Sequence, residues 1–250
     1  MSSSPLGIRR NRRARSIAVP GRFPWGPLLK RLEVHYGSGS WRVPALRRRG
    51  ADPFEVLVST VLSHRTRDEV TERATRRVLR AFPTPSKLAA ASEADLMTLI
   101  SEVGLARTKA SGLRSAAELV TERFGGRIPM AEAELRELPL VGKKTARAIL
   151  LFAFGKPAIP VDSHIHRVVN RLGVVETRSV NATADALGSR VPRKYWGLLN
   201  PVLVQHGQNI CLPRRPRCGS CPVSDLCPKV GVDDWPKEPE DCKAPLSRSS

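Results

Sequence analysis

Hydrophobic positions recur at helical spacing along most of the chain, and strict strand-like alternation is nowhere sustained. From Trp25, the residues Leu28, Leu29 and Leu32 share one face and predict a short helix, ended by the Gly/Ser run at 37–40. Asp52-Pro53 pairs a capping acid with a proline in the first turn, where no N–H donor is needed. The helix it opens runs to about Ser63. Another starts at Arg67, with Val70, Ala74, Val78 and Phe82 on its apolar side, and Pro83 and Pro85 close it. Ser92 with Asp95 starts a further helix, stopping near Gly104. Leu113, Ala116, Val120 and Phe124 line the next, which ends at Gly125-Gly126. Short helices are expected around 131–137, 143–154, 163–172, 181–189 and 194–207. The class is all-α, without an internal repeat of regular period.

Composition sharpens this picture. With 250 residues, 41% of them hydrophobic, the chain can bury one large core or two small ones. Its longest apolar segment, 148–154, is far shorter than the roughly 20 residues that cross a bilayer, so no membrane association is expected. A net charge of +19 attracts phosphate backbones and favours a nucleic-acid partner over a merely basic surface. Residues 1–24 read as a flexible basic arm, centred on Arg9-Arg10-Asn11-Arg12-Arg13-Ala14-Arg15. An organelle transit peptide of similar composition ranks second. Residues 229–250 read as a loose tail.

The cysteines bring in chemistry. All five fall after residue 210, and Cys211, Cys218, Cys221 and Cys227 are spaced C-x6-C-x2-C-x5-C. Crowding at one end, an odd count and no secretory leader point to a metal site in a reducing cytoplasm and away from a disulfide framework. Four thiolates suit zinc or an iron–sulfur cluster about equally on chemistry alone. A redox dithiol at Cys218 and Cys221 would leave the other two unexplained. Cys242 lies outside the spacing and reads as a free thiol.

Upstream, Leu138-Pro139-Leu140-Val141-Gly142-Lys143-Lys144-Thr145-Ala146 joins two helices through a tight turn. Gly142 permits close backbone approach, and the helix N-terminus after it can hold a phosphate. That dipole end and the neighbouring Lys143 both disfavour a charged amine at Lys144, and partial burial would add to this. On the residues alone, a phosphate-binding lysine is the simpler reading.

Eighteen residues after Lys144 stands Asp162, in Val161-Asp162-Ser163-His164-Ile165-His166-Arg167-Val168. The hairpin, this segment and the cysteine cluster, in this order over residues 25–228, resemble the endonuclease III family of helix–hairpin–helix DNA glycosylases. The resemblance implies two helical lobes with a C-terminal cluster loop, one spanning 46–156 and the other 25–45 plus 157–228. It implies a [4Fe–4S] cluster on the four cysteines. It also implies a bifunctional glycosylase and abasic-site lyase that removes oxidised pyrimidines from duplex DNA, with damaged bases or abasic sites as its targets. Lys144 would attack the sugar C1′ and form a Schiff base. Asp162 would assist it and stabilise positive charge on the sugar, while capping the helix at Ser163.

Leu105, in Val103-Gly104-Leu105-Ala106-Arg107-Thr108-Lys109-Ala110, takes the position of a wedge that fills the space left by a flipped nucleotide. His64 and Arg65 stand where the family typically has Ala-Gln, making the plug cationic. Leu140 replaces a usual hairpin glycine, and His166, in place of a phenylalanine, reads as packing. Further DNA contacts are expected from Gly142, Lys143 and His164, and from Arg214, Arg215 and Arg217 in the first cysteine loop. A monomer in the cytoplasm, associated with the nucleoid, is expected. The rivals are a monofunctional glycosylase, which Lys144 and the short chain argue against, and a non-catalytic iron–sulfur DNA-binding protein, which the presence of both Lys144 and Asp162 argues against.

Overall fold

The computed structural model describes residues 23–37 and 51–232. Most of the basic arm, residues 38–40 of the Gly/Ser run, the start of the hairpin lobe before 51, the tail beyond 232 and Cys242 lie outside the described residues. The described residues contain helices and no strand. The elements are α1 (Trp25–Tyr36), α2 (Pro53–Leu62), α3 (Asp68–Ala81), α4 (Pro85–Ala89), α5 (Glu93–Leu99), α6 (Ala106–Phe124), α7 (Glu132–Leu135), α8 (Lys143–Phe152), α9 (Ser163–Arg171), α10 (Val180–Arg190) and α11 (Trp196–Asn209). Two single 3-10 turns, Cys218–Ser220 and Ser224–Leu226, follow.

The caps work as their chemistry requires. Asp52 Oδ1 accepts from the amides of Phe54 and Glu55 at 2.8 and 3.0 Å, and Ser92 Oγ accepts from Asp95 at 3.0 Å. Gly125 and Gly126 end α6 with φ of 59° and 76°. Two expectations are corrected. Pro85 does not close α3; it occupies the first turn of α4, where Thr84 caps the amide of Lys87. The helix opened by Ser92 ends at Leu99, and residues 100–105 form a turn before α6.

Two hydrophobic cores result. The first runs from Ala51 to Ala158 and centres on α2, whose residues 56–62 are all buried. A helix apolar on every side must be enclosed, and α3, α6 and α8 enclose this one. The second core joins α1 to α9, α10, α11 and the cysteine segment. Trp25 Nε1 donates to the Arg190 carbonyl at 3.0 Å, and Arg31 pairs with Asp225 at 2.7 Å. Polar contacts bridge the cores: Lys143 of α8 pairs with Asp185 of α10 at 2.5 Å, and Arg147 donates to the Ala184 carbonyl at 3.2 Å.

Candidate active site

The hairpin between α7 and α8 presents its helix N-terminus to solvent. Gly142 caps α8 without a side-chain acceptor, so the first-turn amides can serve an external anion. Apart from Gly142 itself and its two chain neighbours, no protein atom lies within 4 Å of a Cβ built on Gly142. The open space therefore faces outward. Leu140 holds a left-handed backbone, φ 64°, and its side chain sits where a Cβ on Gly112 of α6 would be, 2.4 Å from Cδ1. The non-glycine hairpin residue thus has a matching glycine in the helix beneath it.

Lys144 is exposed in the first turn of α8, so the partial burial considered from sequence is not found. Lys143 is also differently placed: with its ammonium on Asp185, it repels Lys144 less than a bare cation would. Thr145, which follows, is buried, and its hydroxyl lies 3.1 Å from Nε2 of His64. Burial first, then the ammoniums of Lys144 and Lys109, hold the His64 imidazole below the ordinary histidine range. His64 therefore points into the protein against the hairpin. Its neighbour Arg65 is exposed, with φ 53°.

Asp162 caps α9, its Oδ1 accepting from the Ile165 amide at 2.8 Å. Lys144 and Asp162 thus each stand at a helix N-terminus, one on a helix of each core. His164 packs so closely on α11 that a Cβ on Gly207 would stand 2.7 Å from its own Cβ, and its Nδ1 lies 3.2 Å from Arg167. His166 is structural, its Nδ1 2.6 Å from the Thr183 hydroxyl. Leu105, expected to act as a wedge, is 54% exposed with φ 62°.

Sequence reasoning missed Lys109, Thr145, Gly104 and Gly112. Lys109 is 2% exposed. Its Nζ donates to the carbonyls of Leu62 and His64 and to the Thr66 hydroxyl. One signal was available: Lys109 lies one turn before Leu113, on the apolar stripe of α6. A lysine on a buried stripe needs partners.

The four cysteines are not in disulfides, and all line one partly open pocket. Apolar walls come from Val168, Leu172 and Val223. Among the described residues, no three His, Cys, Asp or Glu side chains converge closely enough to grip a single metal ion. The donors around the sulfurs suit a larger anionic group. Arg171 donates to Cys211 Sγ and the Lys229 amide to Cys227 Sγ, both at 3.4 Å, and His206 Nε2 lies 3.7 Å from Cys221 Sγ. Such hydrogen bonds stabilise thiolates ligating a cluster. Arg171 also holds the Leu212 and Pro213 carbonyls at 2.7 and 3.0 Å, and Arg167 holds that of Cys211 at 2.9 Å. These bonds fix the loop that carries exposed Arg214 and Arg215 and half-buried Arg217.

No described helix is long and apolar enough to cross a membrane. Residues 58–193 match the model of the HhH-GPD superfamily of base excision DNA repair proteins, and 211–227 match the iron–sulfur binding domain of endonuclease III. Endonuclease III of Thermotoga maritima is 45% identical over 176 residues, covering 70% of this chain and 83% of that protein. A solved structure of a trapped endonuclease III–DNA covalent intermediate superposes with a TM-score of 0.72 at 30% identity, covering 80% of this chain and 92% of that one. A thermostable thymine-DNA glycosylase superposes with a TM-score of 0.73 at 26% identity, covering 82% and 95%. The cysteine segment holds a [4Fe–4S] cluster, and the fold is the two-lobed helix–hairpin–helix fold of a DNA glycosylase. The chain belongs to the endonuclease III family of base-excision DNA repair enzymes.

Proposed function

We propose that this protein is a bifunctional glycosylase and abasic-site lyase, acting as a monomer on oxidised pyrimidines in duplex DNA. The observation that carries the reading is that an exposed Lys144 stands at the uncapped start of α8 and Asp162 caps the start of α9, on two helices whose cores are bridged by Lys143 and Asp185. Lys144 Nζ attacks C1′ of the extruded nucleotide, and the base departs with the electrons of the glycosidic bond. The nitrogen now on C1′ gives up a proton and its lone pair expels O4′, which is protonated as the sugar ring opens; the iminium so formed is the Schiff base. Loss of a C2′ proton then expels the 3′ phosphate by β-elimination, and water releases Lys144. Asp162 stabilises the positive charge that grows on the sugar as the base leaves.

Arg65 and Leu105 enter the duplex, while the α8 amides, Arg214, Arg215 and Arg217 hold phosphates. Cys211, Cys218, Cys221 and Cys227 are the cluster ligands, and the cluster's contribution is to brace that arginine loop. The trapped DNA adduct named for a relative supports the covalent route. The likeness to a thymine-DNA glycosylase makes thymine in DNA the second substrate to test.

The test is borohydride trapping on a duplex with one thymine glycol or abasic site. An adduct with wild type that disappears in Lys144→Ala supports the reading. Base release without an adduct refutes the lyase step, and neither product refutes catalysis.

A further inference from the structure

The two exposed residues with left-handed backbone at this site, Arg65 and Leu105, come from segments forty residues apart, yet they are built against each other. A Cβ on Gly104 would stand only 2.5 Å from the Arg65 carbonyl oxygen, so the turn before Leu105 rests directly on the Arg65 backbone. One turn further along α6, Lys109 reaches across and donates to Leu62 O at 2.7 Å, to His64 O and to Thr66 Oγ1 at 3.0 Å. Thr66 Oγ1 in turn donates to His64 O at 3.2 Å. Helix α2 has ended by then, so these carbonyls lack their usual intrahelical partners. The ammonium supplies what the helix no longer can.

We infer that Lys109 is a positioning residue for base extrusion, locking the segment 63–66 onto the start of α6 so that Arg65 and Leu105 enter DNA as one two-pronged body. The inference rests on the function proposed above. Its chemistry is that of a cation in a carbonyl cage. Left-handed backbone at a non-glycine residue persists only where surroundings over-determine it, and here the same knot restrains both prongs. Burial pushes the Lys109 ammonium down to about 8, so it is still charged at neutral pH and can fill all three acceptors. Neither prong is then free to fold back when the nucleotide leaves, which is the step that needs both.

The experiment compares one abasic-site oligonucleotide in duplex and in single-stranded form, using holoprotein and borohydride trapping rates. Lys109→Met is expected to lower trapping on the duplex by about tenfold or more while staying within about twofold of wild type on the single strand, where no stack has to be opened. Gly104→Ala removes no hydrogen bond but sets its methyl against the Arg65 carbonyl, and it should show the same split. It decides the matter if Lys109→Met does not fold. Parallel losses on both substrates would mean a general structural role and would overturn the inference, as would an unchanged duplex rate. A wild type that traps neither substrate sinks the proposed function itself, and this inference with it.

Discussion

Leu140 and Gly112 form a lock whose thermodynamic signature is a change of sign. Within a helix such as α6, alanine is more favourable than glycine by about 0.8–1.0 kcal/mol. A methyl on Gly112, however, would stand 2.4 Å from Leu140 Cδ1 and 2.6 Å from its Cγ. The branch point itself is in the way, so rotating a terminal methyl is not enough. Overpacking of this kind typically costs ~1–3 kcal/mol. Taking ~2 for the clash and subtracting ~0.9 for propensity, Gly112→Ala should destabilise the wild type by about 1 kcal/mol.

Leu140→Gly removes the obstacle. It relieves roughly 1–2 kcal/mol of left-handed strain and gives up a comparable burial term for a half-buried leucine. In that background Gly112→Ala meets no leucine side chain and should stabilise by about 0.8–1.0 kcal/mol. The expected coupling is thus about 2 kcal/mol, well above the error of a double-mutant cycle. Urea denaturation of the four proteins, followed by helical circular dichroism, measures it. If Gly112→Ala shifts stability in the same direction in both backgrounds, the lock does not exist.

Three further outcomes are expected. His64 is held neutral in the fold by burial and by Lys144 and Lys109. Below about pH 6.5 the unfolded chain therefore takes up a proton that the folded chain refuses. Stability present above that pH should fall progressively down to the depressed folded value. Melting temperatures from pH 7.5 to 5 should decline more steeply for wild type than for His64→Gln, and parallel declines would refute the assignment. Asp162→Asn keeps a good helix cap but removes the charge. Its melting should be nearly unchanged while single-turnover base release drops by about a hundredfold or more, and equal rates would exclude the electrostatic role. Replacing Arg214 and Arg215 together by alanine should lower the slope of log binding constant against log salt by about 1.8, at ~0.9 per phosphate contact. An unchanged slope would place that loop off the DNA.

The parts of the fold legible in the sequence were those governed by neighbours along the chain. Asp52, Ser92 and the Gly125-Gly126 pair declare helix ends because a cap needs only the next few amides or carbonyls. Pro85 misled because proline marks both a stop and a start, and only Thr84 at the cap position separates them. The candidate site was legible where chemistry recurs in a motif, as in the hairpin, the Asp162 segment and the cysteine spacing. What stayed hidden depends on contacts between distant segments. Thr145 meets His64 across 81 positions, and Lys109 meets the end of α2 across 47. No local pattern announces a carbonyl that lacks a partner. Gly112 is a stronger case, since it reads as a weak point in α6 until Leu140 is seen occupying the space.

The two cores also differ in when they can exist. The first draws only on 51–158, whereas the second needs α1 to meet helices and a cysteine loop made more than a hundred residues later. During synthesis, the hairpin core can close while the chain is still attached to the ribosome, since domains generally fold as units and N-terminal parts first. Helix α1 must wait, its leucines uncovered, until Arg190 and Asp225 have emerged. The half that carries Lys144 is therefore assembled before the half that carries Asp162. On the function proposed above, a nascent chain holds Lys144 in a closed core without Asp162, and both stand in finished cores only once the last cysteine loop has been made.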